Sequence, residues 1–297
     1  MAVEVTVFTP TFNRGYSLNK LYQSLIRQKN KNFEWVVVDD GSEDNTKELL
    51  AEWMKEENGF PIRYFYKENS GKHIAINYGL EKAEGRLFFI VDSDDFITEY
   101  AIELILKEEK LIDDNKDIAG IGFNRGTDEE TLIGKTFPDR TLVASSIERS
   151  KYKIIGDKAE VFYTEILRKY KFPKFLDEKF IPENVVWYKI ANDGYKIKWI
   201  NEIIYICNYL EDGLTYNSSD LAINNFKGYT YTIRQSLQYK VGIKEKNLAI
   251  GVYTRIARSK KMKYHEISRS IEQPILTCFI MGNASELSKK IKMLKNK

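Results

Sequence analysis

Apolar and polar residues change places along the first hundred positions with two alternating periods. Short apolar runs, "VEVTVFTP", "FEWVVVDD", "PIRYFYKEN" and "RLFFIVDSDD", read as strands. Between them, Leu18, Leu21, Leu25 and Ile26 mark one face of a helix, residues 45–57 form a second, and "GKHIAINYGLEKAEG" a third that Gly85 ends. The run of three valines in "FEWVVVDD" is apolar on both faces, as in a strand covered by helices on each side. Repeated strand and helix predict an α/β fold: a doubly wound, mostly parallel sheet with helices on both faces. After "DIAGIGFN" the pattern is mixed. "IPENVVWYKIANDGYKIKWINEIIYICNY" then gives a helix starting near Pro182 followed by strand-like segments, and from about residue 218 the pattern is helical and basic. The expected organisation is one domain over residues 1–217, with halves meeting near residue 97, and a helical basic region over 218–297.

The strand ends carry the candidate chemistry. In open α/β sheets ligands sit beyond the carboxyl ends of the strands. There the first strand has "TPTFNR", the second Asp39 and Asp40 in "DDGS", and the fourth Asp92, Asp94 and Asp95 in "DSDD". Alone, DDGS fits a turn and helix cap slightly better than a binding site. Alone, DSDD fits two readings equally. Three carboxylates within four residues repel one another, which a hard divalent cation relieves. The same residues also suit an acidic helix N-terminus ahead of "ITEYAIELILKEE".

Composition narrows the classes. A 297-residue chain that is 43% hydrophobic and 30% charged belongs with globular proteins that bury a sizeable core. Its longest apolar runs fall well short of the roughly 20 residues that span a bilayer, and "MAVEVTVFTPTF" lacks the features of a signal peptide. A cytoplasmic location is expected. Cys207 and Cys278, each among apolar neighbours, are expected to be reduced thiols. Residues 221–297 hold 16 Lys plus Arg against four Glu and no Asp, which leaves −9 for the rest of a chain whose net charge is +3. Such asymmetry points to a nucleic acid or an anionic membrane. No nucleic-acid-binding module is recognisable, so no nucleic-acid partner is expected. In "ASELSKKIKMLKNK", Leu287, Ile291 and Leu294 fall on one helical face with lysines around them, as in a helix lying on an anionic leaflet. The bland reading is an ordinary packed helix.

Taken in order and spacing, the Thr-Pro-Thr-Phe-Asn loop, the strand-end Asp pair, "NSGKHIAINYGLEKAEG" and Asp-x-Asp-Asp resemble the family 2 glycosyltransferases of GT-A fold. The resemblance continues through "FIPENVVWYKIANDGYKI", similar to that family's acceptor-side helix, and covers roughly residues 3–210. It implies transfer of a sugar from a nucleoside diphosphate donor, a UDP-sugar foremost, usually with inversion. The acceptor would be a hydroxyl of a glycan or lipid-linked glycan, in bacterial cell-envelope or capsular polysaccharide synthesis. By position, Pro10, Thr11 and Phe12 would line the base, with Phe12 stacked on it and Asp40 hydrogen-bonded to it. Asn13, Arg14, Asp39, Gly71, Lys72, Asn77 and Ser93 would join them in binding nucleotide. Asp92 and Asp94 would face ribose and metal, and Asp94 and Asp95 would hold Mg²⁺ or Mn²⁺.

The chain departs from the family pattern at two places. Ala75, Ile76 and Asn77 stand where Ala-Arg-Asn is common, so one phosphate-binding cation is missing, and Lys72 or His73 would supply donors instead. Glu183 and Asn184 stand where Glu-Asp is common; an amide is no base, so Glu183 would take the proton and Asn184 would orient. Asp157, Trp187 and Asp212 are further acceptor-side candidates, and residues 124–136 and 156–161 are expected as loops shaping the donor pocket. Two other readings compete: a sugar-nucleotide pyrophosphorylase, for which "TPTFNRGYS" lacks the Gly-rich loop, and a non-catalytic sugar-nucleotide or glycan-binding assembly protein.

Overall fold

The computed structural model describes residues 3–112, 117–208 and 218–295. Four strands open the chain: β1 (Val5–Thr11), β2 (Phe33–Asp39), β3 (Ile62–Tyr66) and β4 (Leu87–Ile90). They pair in parallel in the order β3-β2-β1-β4. Their crossovers carry α1 (Gly15–Ile26), α2 (Thr46–Trp53) and α3 (Lys72–Lys82). Every residue of β1 and β2 is buried, as helices on both faces require. Val5, Val7, Trp35 and Val37 face Leu18, Leu21 and Leu25 of α1 and Leu50 and Trp53 of α2. Phe8 points the other way, beneath α3. A Cβ on Gly79 would come within 2.1 Å of the Phe8 ring, so only glycine lets α3 lie this close.

Beyond β4 come β5 (Phe96–Ile97), α4 (Ala101–Lys110), β6 (Ile118–Gly126), β7 (Thr141–Ala144), β8 (Lys158–Tyr163), α5 (Thr164–Leu167), α6 (Asn184–Asn192) and β9 (Lys196–Ile206). Here the pairing is mixed. β8 is antiparallel to β4 and to β6, β9 is parallel to β6, and β5 and β7 each lie antiparallel to β9. The continuous parallel run therefore belongs to the first four strands, and β6 with β9 adds one further parallel pair. Residues 124–126 and 158–161, expected in loops, are the end of strand β6 and the start of strand β8.

The chain forms two compact units, Met1–Pro173 with Lys189–Gly213, and Lys174–Tyr188 with Leu214–Lys297. The first contains the nine-stranded sheet. The second is helical, with α7 (Ser218–Asn224), α8 (Phe226–Gln238), α9 (Ile243–Ser259), α10 (Tyr264–Ile271) and α11 (Ile275–Lys295). Its core gathers Ile233, Leu237, Ile250, Tyr253, Ile267, Ile271 and Cys278. Segment 174–188 joins these helices through polar anchors. The Glu178 carboxylate accepts the N–H groups of Lys227 and Gly228 at the start of α8, at 2.7 and 2.6 Å, and the Asn225 amide oxygen accepts those of Lys179 and Phe180. Cys207 and Cys278 are free thiols. No helix among the described residues is long and apolar enough to cross a membrane.

Candidate donor-binding site

The ends of β1, β2, β3 and β4 lie side by side, tied by backbone bonds from Asp40 N–H to Thr11, Lys67 N–H to Asp39 and Val91 N–H to Phe8. The loop after β1 leaves Phe12 46% exposed, a half-open aromatic platform. Pro10 and Thr11 are buried beneath it. Asn13 takes the left-handed conformation at φ 52°, its N–H donates to Ser42 Oγ, and its amide oxygen accepts Glu43 N–H at 2.8 Å. The loops after β1 and β2 are thus one framework. Gly41, at φ 91°, makes the turn after the carboxylate pair.

Both carboxylates of that pair are buried and engaged. Asp39 accepts Ser42 N–H at 2.7 Å and the Tyr64 hydroxyl at 2.8 Å. Asp40 accepts Ser70 N–H at 2.9 Å and Gly71 N–H at 2.6 Å and pairs with the Lys67 ammonium. Asp40 therefore fixes the loop leading into α3, with Gly71 at φ 95° making the bend.

At the end of β4 the acidic cluster meets two cations. Lys72 Nζ, on the first residue of α3, lies 2.5 Å from Asp92 Oδ1. Arg125, at the end of β6, sets its guanidinium 3.8 Å from Asp92 Oδ2 and 4.0 Å from Asp95 Oδ2, stacked 4.0 Å above the Tyr205 ring. Tyr205, on β9, accepts Asp92 N–H at 3.0 Å and donates to Asp95 Oδ2 at 2.7 Å, and Asn208 N–H donates to Asp95 Oδ1 at 2.8 Å. Burial alone would raise Asp92, but Lys72 and Arg125 outweigh it and hold its pKa low. Burial and then Asp92 raise Asp94, and the same two causes push Asp95 up to about 6. Arg14 and Lys72 oppose the rise at Asp94. Ser93 is buried, its carbonyl accepting the Ser17 hydroxyl.

The donor set fits a divalent cation in one specific manner. Among the described residues no three carboxylate, imidazole or thiol groups converge on one point. A cation here would be held by one or two carboxylates, Asp94 and Asp95, with phosphate oxygens of a ligand completing its shell.

Other expected site residues fall elsewhere. The Asn77 amide, expected at the nucleotide, is engaged by the Phe172 backbone: its oxygen accepts Phe172 N–H and its nitrogen donates to Phe172 C=O, both at 2.9 Å. His73 is buried with both ring nitrogens lacking hydrogen-bond partners, and burial pushes its pKa down to about 4. It is neutral at pH 7, so Lys72 is the cation at the start of α3. Ile76 is fully buried. Asp157 is exposed on the turn before β8. In the helical unit, the Glu183 carbonyl accepts the N–H groups of Val186 and Trp187, placing Glu183 at the start of α6. It is half-buried, Asn184 is exposed, and Trp187 is only 5% exposed and packs inward. Asp212 lies outside the described residues. Arg125 and Tyr205 escaped the sequence reading, although "GFNRG" places a lone arginine at the end of an apolar strand, the same signal that flagged Asp39 and Asp92.

A parallel half-sheet whose strand ends bring an aromatic platform, engaged carboxylates and an acid-and-cation cluster to one edge has these groups where open α/β sheets bind their ligands. Residues 6–173, more than half of the chain, match the model of glycosyl transferase family 2, and the chain belongs to that family. It is 24% identical over 299 residues, covering 94% of this chain and 93% of the relative, to a GalNAc(5)-diNAcBac-PP-undecaprenol beta-1,3-glucosyltransferase of Campylobacter jejuni. It spans only 15% to 36% of the length of other curated relatives, glycosyltransferases of Streptococcus pneumoniae and Rickettsia. Its fold is similar to that of S. aureus TarS 1-349, solved with UDP-GlcNAc, with a TM-score of 0.63 and 19% identity over 86% of this chain and 73% of that one. It is also similar to the mannosyltransferase PcManGT of Pyrobaculum calidifontis, solved with GDP-Man and Mn²⁺, with a TM-score of 0.55 and 15% identity over 97% and 76%.

Proposed function

We propose that this chain is an inverting glycosyltransferase that uses a nucleoside diphosphate sugar, a UDP-sugar foremost, and Mg²⁺ or Mn²⁺. The carrying observation is the cluster at the end of β4, where Asp92, Asp94 and Asp95 stand beside Lys72 and Arg125 on the sheet edge that also presents Phe12. Phe12 would stack on the base, and the framework of loops after β1 and β2 would shape its pocket. Asp92 would face the ribose, and Asp94 and Asp95 would hold the cation. When bound, that cation acts as a Lewis acid that stabilises the departing diphosphate. Burial first and then the Asp92 charge raise the pKa values of Asp94 and Asp95, and a bound cation would favour their charged forms.

Breaking the anomeric bond leaves positive charge on the sugar ring and negative charge on the leaving group. The acceptor hydroxyl attacks from the opposite face and loses a proton to a carboxylate, for which Glu183 at the start of α6 is the proposed base. A single displacement inverts the configuration. The undecaprenol-linked substrate in the name of the Campylobacter relative supports a glycan or lipid-linked acceptor in cell-envelope synthesis. Work on the cytoplasmic leaflet accords with α11, where Leu276, Phe279, Ile280, Leu287 and Ile291 are 45% to 68% exposed in a strongly basic region. The domain division proposed is a donor half to about residue 97, an acceptor half to 217 and a membrane-facing helical region beyond.

The test is calorimetric binding of UDP and GDP with and without Mn²⁺, followed by a screen of the matching sugar nucleotides for release of diphosphate. Binding that needs the metal and is lost in Asp94→Ala supports the reading. Full binding and turnover in EDTA would overturn the metal assignment, and failure to bind either nucleotide would overturn the reading as a whole.

A further inference from the structure

We infer that Tyr205 is a positioning residue for the cation site, its hydroxyl reaching from β9 to fix the Asp95 carboxylate before a divalent ion arrives; this rests on the reading above. The directions of its two hydrogen bonds leave no choice. The Asp92 N–H, 3.0 Å away, can only donate, so the hydroxyl proton goes to Asp95 Oδ2 at 2.7 Å. Asn208 N–H fixes the other oxygen, Oδ1, at 2.8 Å. A carboxylate oxygen has two lone pairs, so each oxygen of Asp95 keeps one for a cation while the group as a whole can no longer rotate.

The acidic turn has little of its own to hold it. Asp95 N–H closes it on the Asp92 carbonyl at 3.1 Å, and the strand that follows, β5, is two residues long. The template comes from β9. Tyr205 lies opposite Ile97 of β5 on one side and Arg125 of β6 on the other. Its ring is fully buried, meets Phe89 of β4 edge-on with centroids 6.2 Å apart, and carries the Arg125 guanidinium 4.0 Å above it. Neighbouring strands therefore place the ring whether or not it bears an oxygen. A phenylalanine would fill the same space without the cost of burying a polar group, and the partners that offset that cost are Asp92 and Asp95. Partners of this kind, which orient a ligand and never touch the metal, change metal affinity by roughly 10- to 100-fold when they are removed. A fixed carboxylate also selects among ions. Mg²⁺ demands near-octahedral geometry, whereas Ca²⁺ accepts irregular shells, so loosening Asp95 costs Mg²⁺ more.

The test is Tyr205→Phe, which deletes one oxygen and keeps the ring. Titration of Mn²⁺ followed by electron paramagnetic resonance, in the presence of whichever of UDP and GDP the parent binds, should show affinity weakened by roughly tenfold or more. Displacement of that Mn²⁺ by Mg²⁺ and by Ca²⁺ should show the preference between the two shifted toward Ca²⁺. Binding of the corresponding nucleoside, uridine or guanosine, which needs no metal, should stay within about twofold of the parent by saturation-transfer NMR. Parent-like Mn²⁺ affinity overturns the inference, and so does a loss shared equally by Mg²⁺ and Ca²⁺, which marks lost charge stabilisation in place of lost orientation. A Tyr205→Phe chain that loses nucleoside and metal alike, folded or not, also overturns it, because the hydroxyl then serves the fold. Failure of the parent itself to bind Mn²⁺ with UDP or GDP is a separate result that overturns the functional reading.

Discussion

The side-chain amide of Asn77 grips the backbone of Phe172 with two hydrogen bonds of 2.9 Å, one accepted and one donated, across 95 residues of chain. An amide paired this way does for a loop what a neighbouring strand would do: it satisfies both backbone groups of one residue. The grip holds the Phe172 ring edge-on to His73, with centroids 6.4 Å apart, and closes the apolar surroundings of that imidazole. A residue expected at the nucleotide is thus a strut between α3 and the segment after α5.

Replacing Asn77 by Ala leaves the Phe172 N–H and C=O without these partners and should cost about 1–2 kcal/mol of stability. Nucleotide affinity should change less than twofold at temperatures where the variant is folded. Urea unfolding and calorimetric titration on the same preparation separate the two. A parent-like unfolding midpoint with lost nucleotide binding would return Asn77 to the donor site.

His73 gives the fold a sensitivity to acid of defined sign. Burial depresses its pKa in the folded chain to about 4, below the ordinary value of about 6.5 in the unfolded chain. Between those values the unfolded state binds the proton and the folded state does not, so stability falls as pH drops from 6.5 towards 4, and above 6.5 the group contributes no slope. His73→Gln should flatten this part of the stability profile while leaving the slope below pH 4 to the carboxylates. Thermal unfolding from pH 4 to 8 measures it. An unchanged slope would mean that His73 reaches solvent or a partner before it protonates.

The first four strands were legible because each is a contiguous apolar run ending in polar residues, and their crossovers carry helical periodicity. The strand-end position of Asp39, Asp40 and residues 92–95 followed from that pattern alone. Arg125 and Tyr205 were not legible in the same way. The bond from Asp92 N–H to Tyr205 spans 113 residues, and it exists because β9 inserts beside both β6 and β5, a pairing that no local signal in the mixed region announces. The partner of Asn77 was hidden for the same reason: an amide suits a phosphate or a backbone equally well, and only the fold decides which is near. Segment 174–188 read as part of the first domain because its helix runs on toward β9, whereas Glu178 and Asn225 anchor it among the later helices.

The exposed face of α11 makes a separate prediction. Leu276, Ile280, Leu287 and Ile291 recur at spacings of four, seven and four along one side of the helix, while Cys278 on the opposite side is buried. Phe279 flanks the stripe and packs on Tyr264, over which Arg258 lies at 5.1 Å. On an anionic leaflet the apolar stripe would enter the interface, and each basic residue near the surface would add about 1 kcal/mol. The full chain should float with vesicles rich in phosphatidylglycerol and much less with phosphatidylcholine alone. Leu276→Glu with Leu287→Glu, both at exposed positions, should abolish flotation without loss of fold. Equal flotation of parent and variant would overturn the membrane assignment, and concentration-dependent dimerisation lost in the variant would assign the stripe to a second copy instead.

Glu183→Gln tests the proposed base. Glu183 begins α6, with its carbonyl already accepting the N–H groups of Val186 and Trp187, so its backbone is fixed by the helix whatever its side chain does. Glutamine keeps the size and the hydrogen-bonding reach, but its amide cannot accept the proton that a carboxylate can. If Glu183 takes the acceptor proton, the substitution should lower turnover by roughly 10²-fold or more. Metal-dependent nucleotide binding should remain close to that of the parent, because Phe12 and the cluster at the end of β4 are untouched. A helix-end role alone predicts a different pattern: turnover within a few-fold of the parent and a small loss of stability from the lost favourable charge at the helix start. Asn184→Asp provides the converse experiment, since it restores a carboxylate at the neighbouring exposed position. Rescue of Glu183→Gln by Asn184→Asp would show that the acceptor face needs a carboxylate at the start of this helix, and a parent-like rate in Glu183→Gln alone would move the search to Asp157.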